Sequence, residues 1–183
     1  MNLHYETVSP LLKETLQKLV NSPIFKDFTL IGGTCLSLQL GHRRSIDIDL
    51  FTDIDYGTMN TKEMKEFIQR SFPYSENTDS LDTSALGYTL YMGDSPIDKI
   101  KVDFFYTEKF IFPIQEIDHI RIADIREIAA MKLSAITEEE PRQKDFWDIH
   151  ELHEKYPFKD MIDWGTKRNE WSVTEEGILN GFQ

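Results

Sequence analysis

The stretch Leu30-Ile31-Gly32-Gly33-Thr34-Cys35-Leu36-Ser37-Leu38-Gln39-Leu40-Gly41-His42-Arg43-Arg44-Ser45-Ile46-Asp47-Ile48-Asp49-Leu50-Phe51 decides how the chain is read. Phe28 to Ile31 is a short apolar run, which reads as a strand, and Gly32-Gly33 breaks it sharply. Thr34 to Leu40 has the makings of a short helix, stopped by Gly41. From Ile46 to Phe51 apolar and polar residues alternate, so Ile46, Ile48 and Leu50 are expected on one face of a second strand and Asp47 and Asp49 on the other.

Two aspartates at i and i+2 of a strand point the same way and can share a pair of metal ions. Magnesium prefers carboxylate oxygens and keeps part of its shell for water and substrate phosphates. Two such ions, about 3.5–4 Å apart, can clamp the attacking and leaving oxygens of an in-line displacement at phosphorus. The glycines suit the other end of the same chemistry. A backbone without Cβ lets phosphates approach closely, and the N–H groups opening the next helix favour an anion, to which Thr34 would add a hydroxyl donor. Alone, a Gly-Gly pair is an ordinary turn and an Asp-x-Asp strand an ordinary solvated face. With thirteen residues between Gly33 and Asp47, in this order, the combination is far more specific.

The rest of the composition bounds the setting. With 183 residues, 40% hydrophobic and 28% charged, the chain can fill one core and carry a small helical annex. No run approaches the roughly 18 apolar residues of a membrane span, so no membrane partner is expected. The opening MNLHYETVSPLLKE lacks the pattern of a secretory leader, and a cytoplasmic location is expected. Asp and Glu outnumber Lys and Arg by 32 to 20, a net charge of -12. A chain this acidic needs a local basic patch, or a partner, to meet nucleic acid. Arg43 and Arg44 are the densest basic pair near the glycines and aspartates. His42 beside them either contacts phosphate or belongs to an exposed basic turn. Cys35 reads as a small core residue, and His150-Glu151-Leu152-His153 has the wrong spacing for a zinc protease helix.

Hydrophobic-Gly-Gly, a short helix and then Asp-x-Asp resembles the signature of the polymerase β-like nucleotidyltransferase superfamily. The version here, Gly32-Gly33-Thr34 with Leu40-Gly41-His42-Arg43-Arg44-Ser45-Ile46-Asp47-Ile48-Asp49-Leu50-Phe51, is similar to the AbiEii-type toxins within it. That resemblance implies an α+β fold, a small mixed sheet flanked by helices, with a C-terminal helical region. It implies a third carboxylate on a later strand, and Asp103 in Lys101-Val102-Asp103-Phe104-Phe105 fits, since alternation sets it opposite Val102 and Phe104. Asp47, Asp49 and Asp103 would then hold two Mg²⁺ ions.

The family's lysine on a helix after the sheet matches Lys132 in Ala129-Ala130-Met131-Lys132-Leu133-Ser134-Ala135. Lys132 falls in the stripe of Ile125, Ile128, Ala129 and Ile136, where a charge needs a partner unless it reaches out along the core edge. A hand on the triphosphate is the sharper reading, with Lys132 steadying the leaving pyrophosphate. The family's basic-Asp-x-x-Asp pattern matches Lys144, Asp145 and Asp148. These would orient Lys132 or Arg43, contact the nucleotide sugar, or close a local ion-pair network.

The remaining elements follow from pattern. Ser9-Pro10 opens a helix with Leu12, Leu16, Leu19 and Val20 at helical spacing, and Thr61 caps another with Met64, Phe67 and Ile68 buried. Tyr74 to Ser84 reads as a loop. Tyr88–Met92 and Lys99–Tyr106 read as a hairpin around Gly93-Asp94-Ser95-Pro96, and Ile111–Ile122 holds one or two short strands. Asp124 with Glu127 is a capping-box signature for a helix to about Thr137; Glu140-Pro141 opens the next, to about Lys155, and two short helices end the chain. Residues 1–122 are expected to form the nucleotidyltransferase core and residues 123–183 a helical region packed on it.

Function is expected as Mg-dependent transfer of NMP from an NTP to an acceptor, RNA and above all tRNA being favoured by the resemblance. The same resemblance implies a toxin of a bacterial toxin–antitoxin or phage-defence system, with a cognate antitoxin as partner. A nucleotide-binding module without chemistry, or a protein-interaction partner of an antitoxin, is the alternative.

Overall fold

The structure, a computed structural model, describes residues 2–76, 86–137 and 141–182. Of the expected loop from Tyr74 to Ser84, Tyr74 and Ser75 form a short strand instead, paired at the sheet edge, and residues 77–84 fall outside the described residues, as does the expected helix start at Glu140. The chain divides into two compact units. The first holds Met1–Lys109 and Ile114–Ile122, the second Phe110–Pro113 and Ala123–Gln183.

In the first unit, helix α1 (Pro10–Val20) starts where Ser9 accepts a hydrogen bond from the Leu12 N–H and Pro10 supplies a preset φ. Its Leu12, Leu16 and Leu19 are at most 1% exposed, each contributing about 1.5–3 kcal/mol by burial. Strand β1 (Thr29–Ile31), helix α2 (Gly32–Leu40), strand β2 (Asp47–Thr52) and helix α3 (Thr61–Ser71) follow. Ile46 stands outside β2 and is 72% exposed, so the buried face of that strand is Ile48, Leu50 and Thr52. The α3 cap is Asn60, one residue before the expected Thr61, and its side chain accepts from the Glu63 N–H.

Strands β3 (Tyr74–Ser75), β4 (Gly87–Ser95), β5 (Asp98–Tyr106), β6 (Gln115–Ile117) and β7 (Ile120–Ile122) complete a seven-stranded mixed sheet in the order β3-β4-β5-β2-β1-β7-β6. The β4–β5 hairpin is tighter than its glycine-proline segment suggests: the strands run on, through a register shift between Gly93 and Ser95, to a turn at Pro96-Ile97. Asp118 and His119 turn β6 into β7 with positive φ at both, the geometry of a two-residue hairpin loop. β2 pairs with β5 in parallel and with β1 antiparallel. One sheet face is apolar, built from Leu30, Ile48, Leu50, Leu90, Val102 and Phe104, and Phe25 and Phe28 pack on Phe104.

The second unit is helical: α4 (Ile125–Ile136), α5 (Gln143–His153), α6 (Phe158–Arg168) and α7 (Glu175–Asn180). Its core joins Ile128, Leu133, Ile136, Ile149, Leu152, Met161 and Ile178. The Asp124 cap is as expected, accepting from the Arg126 N–H. Glu127 does not close a capping box. Its carboxylate is fully buried, accepts the N–H groups of Ile111 and Phe112, and lies 2.8 Å from Arg168 Nε. That anchor, with the Arg126 guanidinium over the Phe112 ring and Phe112 edge-on to Trp164, draws Phe110–Pro113 into the second unit rather than the first. Among the described residues no helix is long and apolar enough to cross a membrane.

Candidate active site

The polar face of the sheet in the first unit is a small grid set by register. Asp49 stands opposite Asp103 on β5, Asp47 opposite Lys101, and Ile31 of β1 opposite Asp49. On the far side of β5, Thr89 of β4 faces Asp103 and Tyr91 faces Lys101. Three carboxylates and one ammonium therefore occupy adjacent positions on one surface, because i and i+2 alternate to the same side. Asp47, Asp49 and Asp103 are all half-buried. Like charges opposite one another across a sheet repel, and Lys101 answers that repulsion. Its Nζ lies 2.5 Å from Asp103 Oδ2, while the Thr89 hydroxyl donates to Asp103 Oδ1, also at 2.5 Å. Burial works against the Lys101 charge, but Asp103, Asp49 and Asp47 together hold its pKa above the ordinary lysine value.

β1 delivers the chain to the same surface. Gly32 opens α2 with φ +70, and a Cβ there would collide with the Asp49 carboxylate. A Cβ on Gly33 would collide with the Arg43 guanidinium. The two glycines thus let a helix start lie directly against Asp49 and beneath Arg43. Ile31, at the cap position of α2, makes no side-chain hydrogen bond to it, and the N–H groups of a helix start favour an anion. Arg43 Nη1 donates to the Arg44 carbonyl at 3.0 Å, and Arg44 is exposed.

Thr34 is placed differently from the expectation of an outward hydroxyl donor. It is 1% exposed, and its hydroxyl donates to the Asp47 carbonyl and shares a 2.7 Å hydrogen bond with the Ser45 hydroxyl. With one proton to give, it is a clasp between α2 and the first residue of β2. It fixes where the Asp-x-Asp strand begins.

The other expected residues lie in the second unit. Lys132 on α4 is 5% exposed; its Nζ is 2.5 Å from Asp145 Oδ1 and 2.8 Å from Asp148 Oδ2, both on α5. The two aspartates, one helical turn apart, are at most 1% exposed. Arg142 Nε adds a 3.1 Å contact to Asp145 Oδ2. The partner that a lysine in an apolar stripe requires is this pair of carboxylates. Lys144, half-buried, is beside them in sequence.

Sequence reasoning missed Lys101, Thr89, Arg142 and the Glu127–Arg168 pair. The first was within reach, since it sits two residues before Asp103 on the same strand face. Thr89 and Arg168 carry no local signal, because their importance depends on cross-strand register and on a partner 41 residues away.

The donor set fits magnesium in chemistry: three hard carboxylates on one face, next to a helix start that only glycine permits. Among the described residues no group of three or more His, Cys, Asp or Glu is already converged as a ligand set, and Asp103 is turned to Thr89 and Lys101.

Comparison with known proteins bears on the fold and the family. A curated relative from Aquifex aeolicus, the uncharacterized protein aq_aa25, is 34% identical over 153 residues, 79% of this chain; the match spans 66% of that protein's length, just under two thirds. A candidate nucleotidyltransferase from H. pylori superposes with a TM-score of 0.59 at 16% identity, covering 97% of this chain and 89% of its own. JHP933 from Helicobacter pylori gives 0.53 at 19% identity over 93% and 85%. The Megavirus polyadenylate synthase gives 0.51 at 16% identity over 79% of this chain and 32% of its own. The fold is therefore the polymerase β-like nucleotidyltransferase fold. The profile of the AbiEii nucleotidyl transferase toxins, of type IV toxin–antitoxin systems, matches residues 14–169, and the chain belongs to that family.

Proposed function

We propose that this protein is a magnesium-dependent nucleotidyltransferase that moves NMP from an NTP to an RNA acceptor, tRNA being favoured, and acts as the toxin of a toxin–antitoxin pair. The observation that carries the reading is the register of Asp47, Asp49 and Asp103 on one sheet face, against the glycine-only start of α2.

Asp47, Asp49 and Asp103 would hold the metal, which when bound supplies charge stabilisation to the phosphoryl oxygens and an acidified nucleophile. The N–H groups of Gly32 and Gly33 and the Arg43 guanidinium would donate to phosphate oxygens. Arg43 and Arg44 give an otherwise acidic chain a local basic patch for the acceptor's backbone. Lys132, Lys144, Asp145 and Asp148 complete the proposal with nucleotide handling. Lys132→Arg, which keeps charge but changes shape, tests that part by its effect on transfer.

The test of the main reading is incubation with Mg²⁺, each α-labelled NTP and total RNA, beside an Asp47→Asn/Asp49→Asn variant. Label in a tRNA-sized band that disappears in the variant supports the reading. Label that persists in the variant overturns the metal assignment. NTP binding without product under every acceptor tried points to a silent nucleotide-binding module.

A further inference from the structure

We propose that Lys101 is a resident counter-cation of the aspartate face, displaced when divalent metal binds. The inference rests on the reading of Asp47, Asp49 and Asp103 as the metal-holding set and adds a residue that the reading does not use. Lys101 and Asp103 are i and i+2 on β5, and Lys101 is in register with Asp47 on β2. Its Nζ takes Asp103 Oδ2 at 2.5 Å, and the Thr89 hydroxyl takes the other oxygen at 2.5 Å. Both oxygens of Asp103 are thus engaged.

An ammonium 2.5 Å from Oδ2 repels a divalent ion approaching that oxygen and competes with it for the same negative charge. Thr89 is neutral and has no such conflict. It keeps Oδ1 oriented in either state, which makes Lys101 the exchangeable partner. The side chain is suited to leave. It is 33% exposed, against 14% for Asp103, and its stem has four rotatable carbons that can swing toward solvent.

The arrangement does two things. Without metal, Lys101 relieves the repulsion among three carboxylates that the sheet register forces together. With metal, the two cations repel and the flexible one moves aside, so Lys101 raises the concentration at which the site fills. Metal bound alone must overcome that competition. Metal arriving with a nucleotide brings phosphate oxygens to which the released ammonium can turn.

The experiment is Mn²⁺ binding to the full chain at low ionic strength, read as free Mn²⁺ by electron paramagnetic resonance, for wild type, Lys101→Met, Lys101→Arg and the surface control Lys62→Met. Removing a unit charge a few ångströms from the ion is expected to tighten binding about tenfold in Lys101→Met. Lys101→Arg and Lys62→Met should stay within about twofold of wild type. Equal affinities in wild type and Lys101→Met overturn the proposal while leaving the aspartate site standing. No Mn²⁺ binding by any of the four overturns the metal reading, and this proposal with it.

A second measurement uses wild type alone and is independent of how Lys101→Met folds. Amine acetylation followed by mass spectrometry should label Lys101 weakly without metal and several-fold more with Mg²⁺, with Lys62 unchanged. Labelling of Lys101 that is indifferent to Mg²⁺ refutes displacement.

Discussion

Replacing Lys132 by Met puts a sharp number on the buried cluster of the second unit. The change keeps the stem that packs along α4 and removes the ammonium. Two carboxylates, Asp145 and Asp148, at most 1% exposed, then lose the cation that lies 2.5 and 2.8 Å from them. Arg142 remains near Asp145, but its own side chain is 63% exposed and solvent weakens its help. Removing one partner from a buried ion pair costs about 3–5 kcal/mol. At about 2–4 °C per kcal/mol for a chain of this size, the melting midpoint should fall by about 6–20 °C. The three tryptophans, Trp147, Trp164 and Trp171, all lie in the second unit, so tryptophan fluorescence in urea reports that unit selectively. Adding Asp145→Asn and Asp148→Asn to Lys132→Met removes the uncompensated charge and should recover at least half of the loss. A single variant that loses less than about 1 kcal/mol, or a triple variant no more stable than the single, would refute the claim that charge pairing holds these helices.

Three further outcomes are expected. Gly32→Ala forces an L residue into a left-handed conformation at about 1–2 kcal/mol and displaces the Asp49 carboxylate. It should fold, yet lose about a hundredfold in nucleotidyl transfer, whereas Gly41→Ala, also at φ +70, should lose stability but little activity. Thr34→Val breaks the clasp to the Asp47 carbonyl and Ser45 and should lower stability by about 1–3 kcal/mol in a urea titration. Asp124→Asn addresses pH. The Arg126 guanidinium, against the opposing effect of burial and with help from the Arg126 N–H, holds the Asp124 carboxyl below its ordinary 3.8. The folded state therefore binds that proton less tightly than the unfolded one. The advantage of wild type over Asp124→Asn should be full above pH 3.8 and disappear as pH falls through the folded-state value. An advantage that grows on acidification would contradict the assignment.

How much of this was legible in the sequence depended on whether the signal was local. The alternation of Asp47 and Asp49 with Ile48 and Leu50 placed the aspartates on the polar face. The same rule overreached at Ile46, because hydrophobic pattern does not tell where pairing with a neighbour strand begins. Ser9-Pro10 and Asp124 acted as caps as written, since a cap needs only the residues that follow it. Local pattern makes Thr34 and Glu127 look like local helpers, a phosphate donor and a capping-box partner. Both are bound to groups further along or back in the chain: Thr34 to Ser45 and Asp47, Glu127 to Ile111, Phe112 and Arg168. A hydroxyl or carboxylate meets whichever unsatisfied group the fold brings to it, and that is tertiary information. Asp103 and Lys132 were reached through a family resemblance, and the register that joins Asp103 to Asp49 becomes visible only when strands are paired.

The four residues Phe110–Pro113 bear on how such a chain can be inherited in pieces. The backbone leaves the first unit at Lys109, enters the second, returns for Ile114–Ile122, and leaves again. A recombination event at the apparent border near residue 122 would transfer four helices without the strap that Glu127 grips through the Ile111 and Phe112 N–H groups. The transferred Glu127 would take its two N–H donors, and Arg126 and Trp164 their aromatic partner, from whatever strap the recipient's own sequence supplies. A C-terminal cassette cut at that border leaves part of its own packing behind. Moving the second unit intact takes three junctions, one on each side of the strap and one after Ile122.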